Sequence, residues 1–249
     1  MLFLLLACGE KSTDTSDENV EENVDVSAEL NPVCEDLVEV ECVDAIILDL
    51  SLHDDKISDG AVETTADGDD FVSTVDATAG GYNNSVNNPW VYVKFTTGGL
   101  ERVDIDDETA LESMDWDMAL KRFMIRLNGG SSGGSCVGSA SLLEADYASL
   151  TEIPEGLTYI PDDFYGSDCT IINDSSGMPG SPQLALSPWW SYSSCVKTTG
   201  IPHLIQLADG HVVKLVVEAY YSSGQDECNA NDIMGSDSGT YTLRWAYMD

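Results

Sequence analysis

Cations are what this sequence has least of: ten Lys and Arg stand against 45 Asp and Glu in 249 residues, a formal net charge of −35. That balance excludes a nucleic-acid partner, because phosphate binding is driven by Lys and Arg. Histidine is scarcer still, with only His53, His203 and His211, and no Cys-x-x-Cys pair occurs. A zinc site therefore has little to be built from. Long apolar runs are missing too, since the N-terminal MLFLLLA falls far short of the roughly 20 residues needed to cross a bilayer. Two common catalytic signatures are absent: there is no His-Glu-x-x-His and no phosphate loop. No catalytic residue is assigned, and an enzyme is not expected. The EF-hand pattern fails at Gly60 and at Gly68. The clusters Asp67, Asp69, Asp70 and Asn229, Asn231, Asp232 read as solvated acidic turns, able at most to hold a weak surface calcium ion.

What is present begins with Leu5-Leu6-Ala7-Cys8, the pattern of a bacterial lipoprotein signal. Residues 1–7 are the expected signal segment, and Cys8 the acylated residue that fastens the chain to a membrane. Gly9 in the next position, where an Asp would retain the protein at the inner membrane, points to the outer membrane or cell surface. Residues 8–31 read as an acidic disordered tether, almost devoid of apolar side chains. From Glu10 to Asp76 there are 22 Asp and Glu against Lys11 and Lys56.

Six further cysteines remain: Cys34, Cys42, Cys136, Cys169, Cys195 and Cys228. An even number in an exported chain implies disulfides, with 15 possible connectivities. The expected pairs are Cys34–Cys42, Cys169–Cys195 and Cys136–Cys228.

Residues 32–249 read as one all-β domain, antiparallel and disulfide-braced, with long loops. CVDAIILDLSL (Cys42 to Leu52) is apolar enough for a buried strand. NPWVYVKFTTGG places Trp90, Tyr92 and Lys94 on one face and Val91, Val93 and Phe95 on the other. IPHLIQLADGHVVKLVVEAYY reads as a hairpin turning at Asp209-Gly210, which sets His211 opposite Ala208 and His203 opposite Val216. In GTYTLRWAYMD, Tyr241, Leu243, Trp245 and Tyr247 face inward, with Thr240, Thr242 and Arg244 outward.

Three of the ten cations, Lys121, Arg122 and Arg126, fall within six positions of the apolar segment ESMDWDMALKRFMIRLNGG. The segment fits a strand with two registers, and a bulge or bend at Lys121-Arg122 would join them. Arg122 and Arg126 then form structural ion pairs with Asp115 and Asp117, or a cationic lip for an anionic ligand.

NPWVYVKFTTGG, MDWDMALKRFMIRLNGGSSGG, IQLADGHVVKLVVEAYY and SGTYTLRWAYM occur in the order, and at about the spacing, of the HmuY family, which this chain resembles over about Cys42 to Met248. The resemblance implies a lipoprotein with an all-β fold that captures haem or a related porphyrin between loops, the iron held by two axial His or Met side chains. The middle third, from Ser139 to Cys195, contains no histidine and one methionine, Met178. Met178 is thus either a loop residue packed on the core or a soft axial ligand, with Met234 as a possible second. Trp189, Trp190 and Tyr192 form either the wall of a flat aromatic pocket or a core plug. Beside the haem-capturing module stands a second reading, a structural or partner-binding lipoprotein that keeps the fold without a cofactor. His203 and His211 lie too far apart along the ladder to share a metal, and His53 reads as solvated.

Overall fold

Alternating apolar side chains on both faces of one strand require a layer on each side of it, and NPWVYVKF has both. The computed structural model describes residues 33–174, 176, 178 and 181–248. The expected signal segment, Cys8 and the acidic tether lie outside the described residues. Among the described residues, three short α-helices, α1 (Val43–Asp49), α2 (Asp107–Leu111) and α3 (Asp226–Asn231), accompany twelve strands. A six-stranded sheet has the order β1 (Val62–Asp67), β2 (Asp70–Asp76), β12 (Ser238–Tyr247), β11 (Val212–Tyr221), β10 (His203–Gln206), β7 (Gly138–Ser141). A four-stranded sheet runs β4 (Gly99–Val103), β3 (Val91–Thr96), β5 (Met118–Lys121), β6 (Met124–Leu127), and β8 (Trp190–Tyr192) pairs with β9 (Val196–Thr198). Every strand pair is antiparallel. The fold is all-β, as the resemblance implies.

Two cores follow from β3. Val91, Val93 and Phe95 join Met118, Leu120, Leu215, Leu243 and Trp245 in the first. Trp90 and Tyr92 join Trp116, Ala119, Ile46, Leu50 and Phe164 in the second. Along β12, Tyr241, Leu243 and Trp245 are buried while Thr240, Thr242 and Arg244 are less so, the alternation read from the sequence. The Thr64 hydroxyl joins the edges of the two sheets by accepting from the Leu100 amide at 3.1 Å.

Several expectations need correction. Cys42 to Leu52 is not a strand but contains α1, because Ile46 and Leu50 lie one helical turn apart and bury together while Leu48 stands exposed. The disulfides pair Cys34–Cys136, Cys42–Cys169 and Cys195–Cys228, so none of the three expected pairings forms. Proximity along the chain misled there: Cys34 and Cys42 end a segment drawn across the fold, and each bonds a distant partner.

Lys121-Arg122 is not a bulge but the start of a tight turn joining β5 and β6, with Lys121 opposite Met124 and Arg122 at φ 54. The hairpin joining β10 to β11 is one residue longer than expected. His203 pairs with Leu215, and the Leu207 amide donates to the His211 carbonyl, so Ala208, Asp209 and Gly210 form the loop. Gly210, at φ 93, supplies the left-handed residue that closes such three-residue loops.

The three clustered cations are structural. Arg122 donates to the carbonyls of Thr78 and Ser238 and, at 2.7 Å, to Ser238 Oγ, while its own carbonyl accepts from the Tyr241 hydroxyl. It bolts the hairpin turn to the start of β12. Arg126 has no exposed surface; its guanidinium lies 4.7 Å from the Trp90 ring centre and 5.6 Å from that of Trp116, and it donates to the Ser132 carbonyl. Lys121 Nζ donates to the Ser51 carbonyl, and burial brings its pKa down to about 8. The ion pairs expected with Asp115 and Asp117 are absent among the described residues: Asp117 instead accepts from the Phe95 amide at 2.8 Å. A fully buried Arg126 cannot be a lip. Arg126→Ala removes a cation that offsets Asp107 and Asp162 and empties the space between the rings. We expect a loss of about 3 to 5 kcal/mol in chemical denaturation.

Candidate functional site

The long middle segment does not lie flat on the sandwich. It folds back along β7, the edge strand of the larger sheet, where Ser139 forms an antiparallel bridge with Ile160 and Gly130 a parallel one with Asp162. Beside this edge opens a cleft of about 1350 Å³.

Four pieces of chain build it. The first is the floor. Asp162 is fully buried and accepts from the amides of Leu127 (2.9 Å) and Ala185 (2.8 Å) and from the Ser132 hydroxyl (2.5 Å). One carboxylate thus ties β6, the loop after it and the segment before β8 together, and burial raises its pKa to about 6 despite these donors. Gly130 adopts φ 61 there, and a Cβ would sit 2.1 Å from the Asp162 carbonyl oxygen. The second piece is β7 itself, whose Ser139 hydroxyl is buried without a hydrogen-bond partner among the described residues.

The third piece is an aromatic wall. On β8, Trp190 and Tyr192 share one face because strand side chains repeat every two residues. Trp190 is held by Phe123 (4.9 Å between centroids) and Trp189 (6.2 Å), while Tyr192 is 46% exposed. The β8–β9 hairpin is fastened to α3 by Cys195–Cys228, by Ser193 Oγ donating to Asp232 at 2.5 Å, and by the Lys197–Asp232 ion pair at 2.7 Å. The fourth piece is a rim, residues 34–42, anchored by Cys34–Cys136 and Cys42–Cys169 and by the Val38 amide donating to the Gly134 carbonyl. Val38, Leu143, Leu157 and Ile160 give the cleft apolar sides.

The sequence-derived candidates separate here. Trp190 and Tyr192 are brought together on the cleft, whereas Trp189, with 2% exposure, is a core plug against Tyr220 and Tyr241. Met178 packs against the first core, and Met234 stands exposed beyond α3. His203 is buried with Nδ1 2.8 Å from Ser141 Oγ, and burial lowers its pKa to about 3. His53 is half-buried rather than free in solvent: Nε2 approaches the Val86 carbonyl at 3.1 Å, and its amide donates to Asp107. Asp67 and Asp70 serve as partners of Arg244, and Asp232 of Lys197. No group of three or more His, Cys, Asp or Glu suited to a metal occurs among the described residues. The residues missed from sequence are Glu39, Glu41, Asp162, Asp163 and Ser139. Nothing marks them among so many acids, except that Asp162 follows a proline in an otherwise apolar stretch.

These features define a disulfide-braced antiparallel β protein with a large loop-walled cleft at one sheet edge. The profile described as HmuY protein matches residues 86–231, more than half of the chain, and the chain belongs to the HmuY family. No curated protein matches significantly. Among solved structures, one provisionally described as a lipoprotein of Bacteroides fragilis is 18% identical, with TM-score 0.46, covering 75% of this chain and 95% of that one. One provisionally described as an HmuY-like heme binding protein of Bacteroides vulgatus is 18% identical, with TM-score 0.44, covering 73% and 93%. The apo HmuY analog of Tannerella forsythia is 14% identical, with TM-score 0.39, covering 78% and 100%.

The family implies haem, and the cleft permits a test of fit. Its volume is ample for a macrocycle, and Trp190 and Tyr192 line it. Among the described residues lining it there is no His, Met or Cys. Iron clamped between two axial side chains does not fit this wall.

Proposed function

We propose that the protein is an exported binding module, anchored to the outer membrane or cell surface through Cys8, that captures a flat porphyrin-sized ligand in the cleft beside β7. The observation that carries this reading is the 1350 Å³ cleft with Trp190 and Tyr192 on one wall. Family membership supports it, and so does the neighbour described as a heme binding protein. Holding is by stacking and apolar contact rather than by axial ligation, and no chemical step is required of the site.

The test is a titration with haemin and with iron-free protoporphyrin, followed by the Soret band and by tryptophan fluorescence. Both are expected to bind with similar affinity. Tyr192→Ala should weaken both about tenfold, the scale of one lost aromatic stack. Met178→Ala should leave both spectra unchanged. A haemin spectrum that depends on Met178 would instead make that thioether the iron ligand. If no porphyrin binds, the reading falls in favour of a lipoprotein that keeps the fold for a structural or protein-binding role.

A further inference from the structure

The cleft's walls are apolar, but every ionisable side chain with a charge to offer there is an acid. Glu39 and Glu41 on the rim and Asp163 beside the floor are exposed, and Asp174 and the buried Asp162 complete the set. Among the described residues, no Lys, Arg or His lines the cleft. Five of the cations lie elsewhere and are engaged: Arg126 between aromatic rings, Arg122 on the β12 backbone, Arg244, Lys214 and Lys197 in ion pairs. Asp162 is saturated by three donors and Asp174 accepts from Ser176 and Ser181, so Glu39, Glu41 and Asp163 are the carboxylates left to meet a ligand.

Resting on the binding reading above, we infer that the cleft selects a flat ligand bearing positive charge, and discriminates against one carrying two carboxylates such as haem itself. Apolar sides and the ring of Tyr192 accept the face of a conjugated cation, whose charge then meets the rim carboxylates. Two propionates in the same place would face Glu39, Glu41 and Asp163 with no counter-cation, and like charges at close range repel more strongly beside a low-dielectric wall than in water.

One macrocycle in three charge states isolates this effect: protoporphyrin as the diacid, as the dimethyl ester and as the bis(aminoethyl) amide. Affinity measured at low salt is expected to rise in that order, by about tenfold or more from diacid to dication. At ~0.5 M salt most of the difference should vanish through screening. The triple variant Glu39→Gln/Glu41→Gln/Asp163→Asn changes three exposed side chains and should erase the order. Equal or tighter binding of the diacid overturns the inference but leaves the binding reading standing. Failure of all three to bind overturns both. Binding of an oligolysine peptide more tightly than the dication would overturn the flat ligand and assign the cleft to a basic protein partner.

Discussion

Replacing Cys42 and Cys169 together by Ala is expected to lower stability by about 4 kcal/mol. The bridges Cys34–Cys136 and Cys42–Cys169 span 102 and 127 residues, but they are interleaved, so their contributions do not add as independent loops. With Cys34–Cys136 closed, the remaining circuit runs eight residues from Cys34 to Cys42 and thirty-three from Cys136 to Cys169, about 41 in all. Closing a circuit of that length restricts the unfolded chain by about 4 kcal/mol. Removing the second bridge as well opens a loop of about 100 residues and should cost roughly 4.7 kcal/mol more. The sum reaches the whole stability of an ordinary domain, about 5 to 15 kcal/mol. Urea unfolding of the wild type, each paired variant and the quadruple variant measures these steps. Indistinguishable midpoints for oxidised wild type and the Cys42/Cys169 variant would show that the bridge restrains nothing. The loss has a structural locus too, since Cys42 immediately precedes α1, whose Ile46 seals the second core.

Acidification from pH 7.5 to 5 should stabilise this protein. Burial raises Asp117 and Asp162 from 3.8 to about 6. A carboxyl whose folded pKa lies above its unfolded one binds its proton more readily when folded. Its contribution is therefore fully present below about 3.8 and is lost as pH rises through about 6. For each group that amounts to about 1.4 kcal/mol between pH 7.5 and 5, or close to 3 kcal/mol for the pair. Relief of repulsion in a chain of net charge −35 works in the same direction. His203 opposes the trend: burial lowers its pKa from 6.5 to about 3, so the unfolded chain takes up a proton there that the folded chain refuses, which costs about 2 kcal/mol between pH 7.5 and 5 and leaves a net gain of about 1 kcal/mol. Asp106 opposes it too below about pH 4, because in spite of burial the donors of the α2 cap lower its folded pKa. Melting temperatures should consequently be modestly higher at pH 5 than at pH 7.5. Asp117→Asn retains an oxygen for the Phe95 amide while losing the ionisable group, so it should abolish the rise from pH 7.5 to 5. A melting temperature that falls steadily over that interval would contradict the assignment of both carboxyls as the controlling groups.

How much of this was legible in the sequence depends on the distance over which each feature is decided. The alternation in β3 and β12 was readable because a two-residue repeat is local, and burial on both faces of β3 was implicit in apolar residues on both. The β10–β11 hairpin was readable to within one residue: Asp-Gly serves both two- and three-residue loops, and the pairing beyond it selects the longer. Seven residues of α1 were not, since a single turn of apolar spacing in CVDAIILDLSL is as apolar as a strand. Its conformation is settled by Phe164 and by the bridge at Cys42, far away in sequence. Disulfide pairing and the identity of the cleft acids are entirely tertiary. Glu39 and Asp163 look like any solvated acid until the middle segment folds back along β7. Arg126 was noticed for its rarity, but its aromatic enclosure required Trp90 and Trp116 to converge from the separate segments that lead into β3 and β5.

The cleft's rim is nine residues of chain pinned at both ends, one cystine at Cys34 and another at Cys42. A strap so fastened cannot swing as a flap, and the hairpin opposite is pinned in turn to α3. Traffic of any guest must pass through the open mouth, at rates set by desolvation and contact rather than by a gate. Retention then depends on how well the guest matches a fixed mould, and handing it onward requires a better host rather than a signal to open.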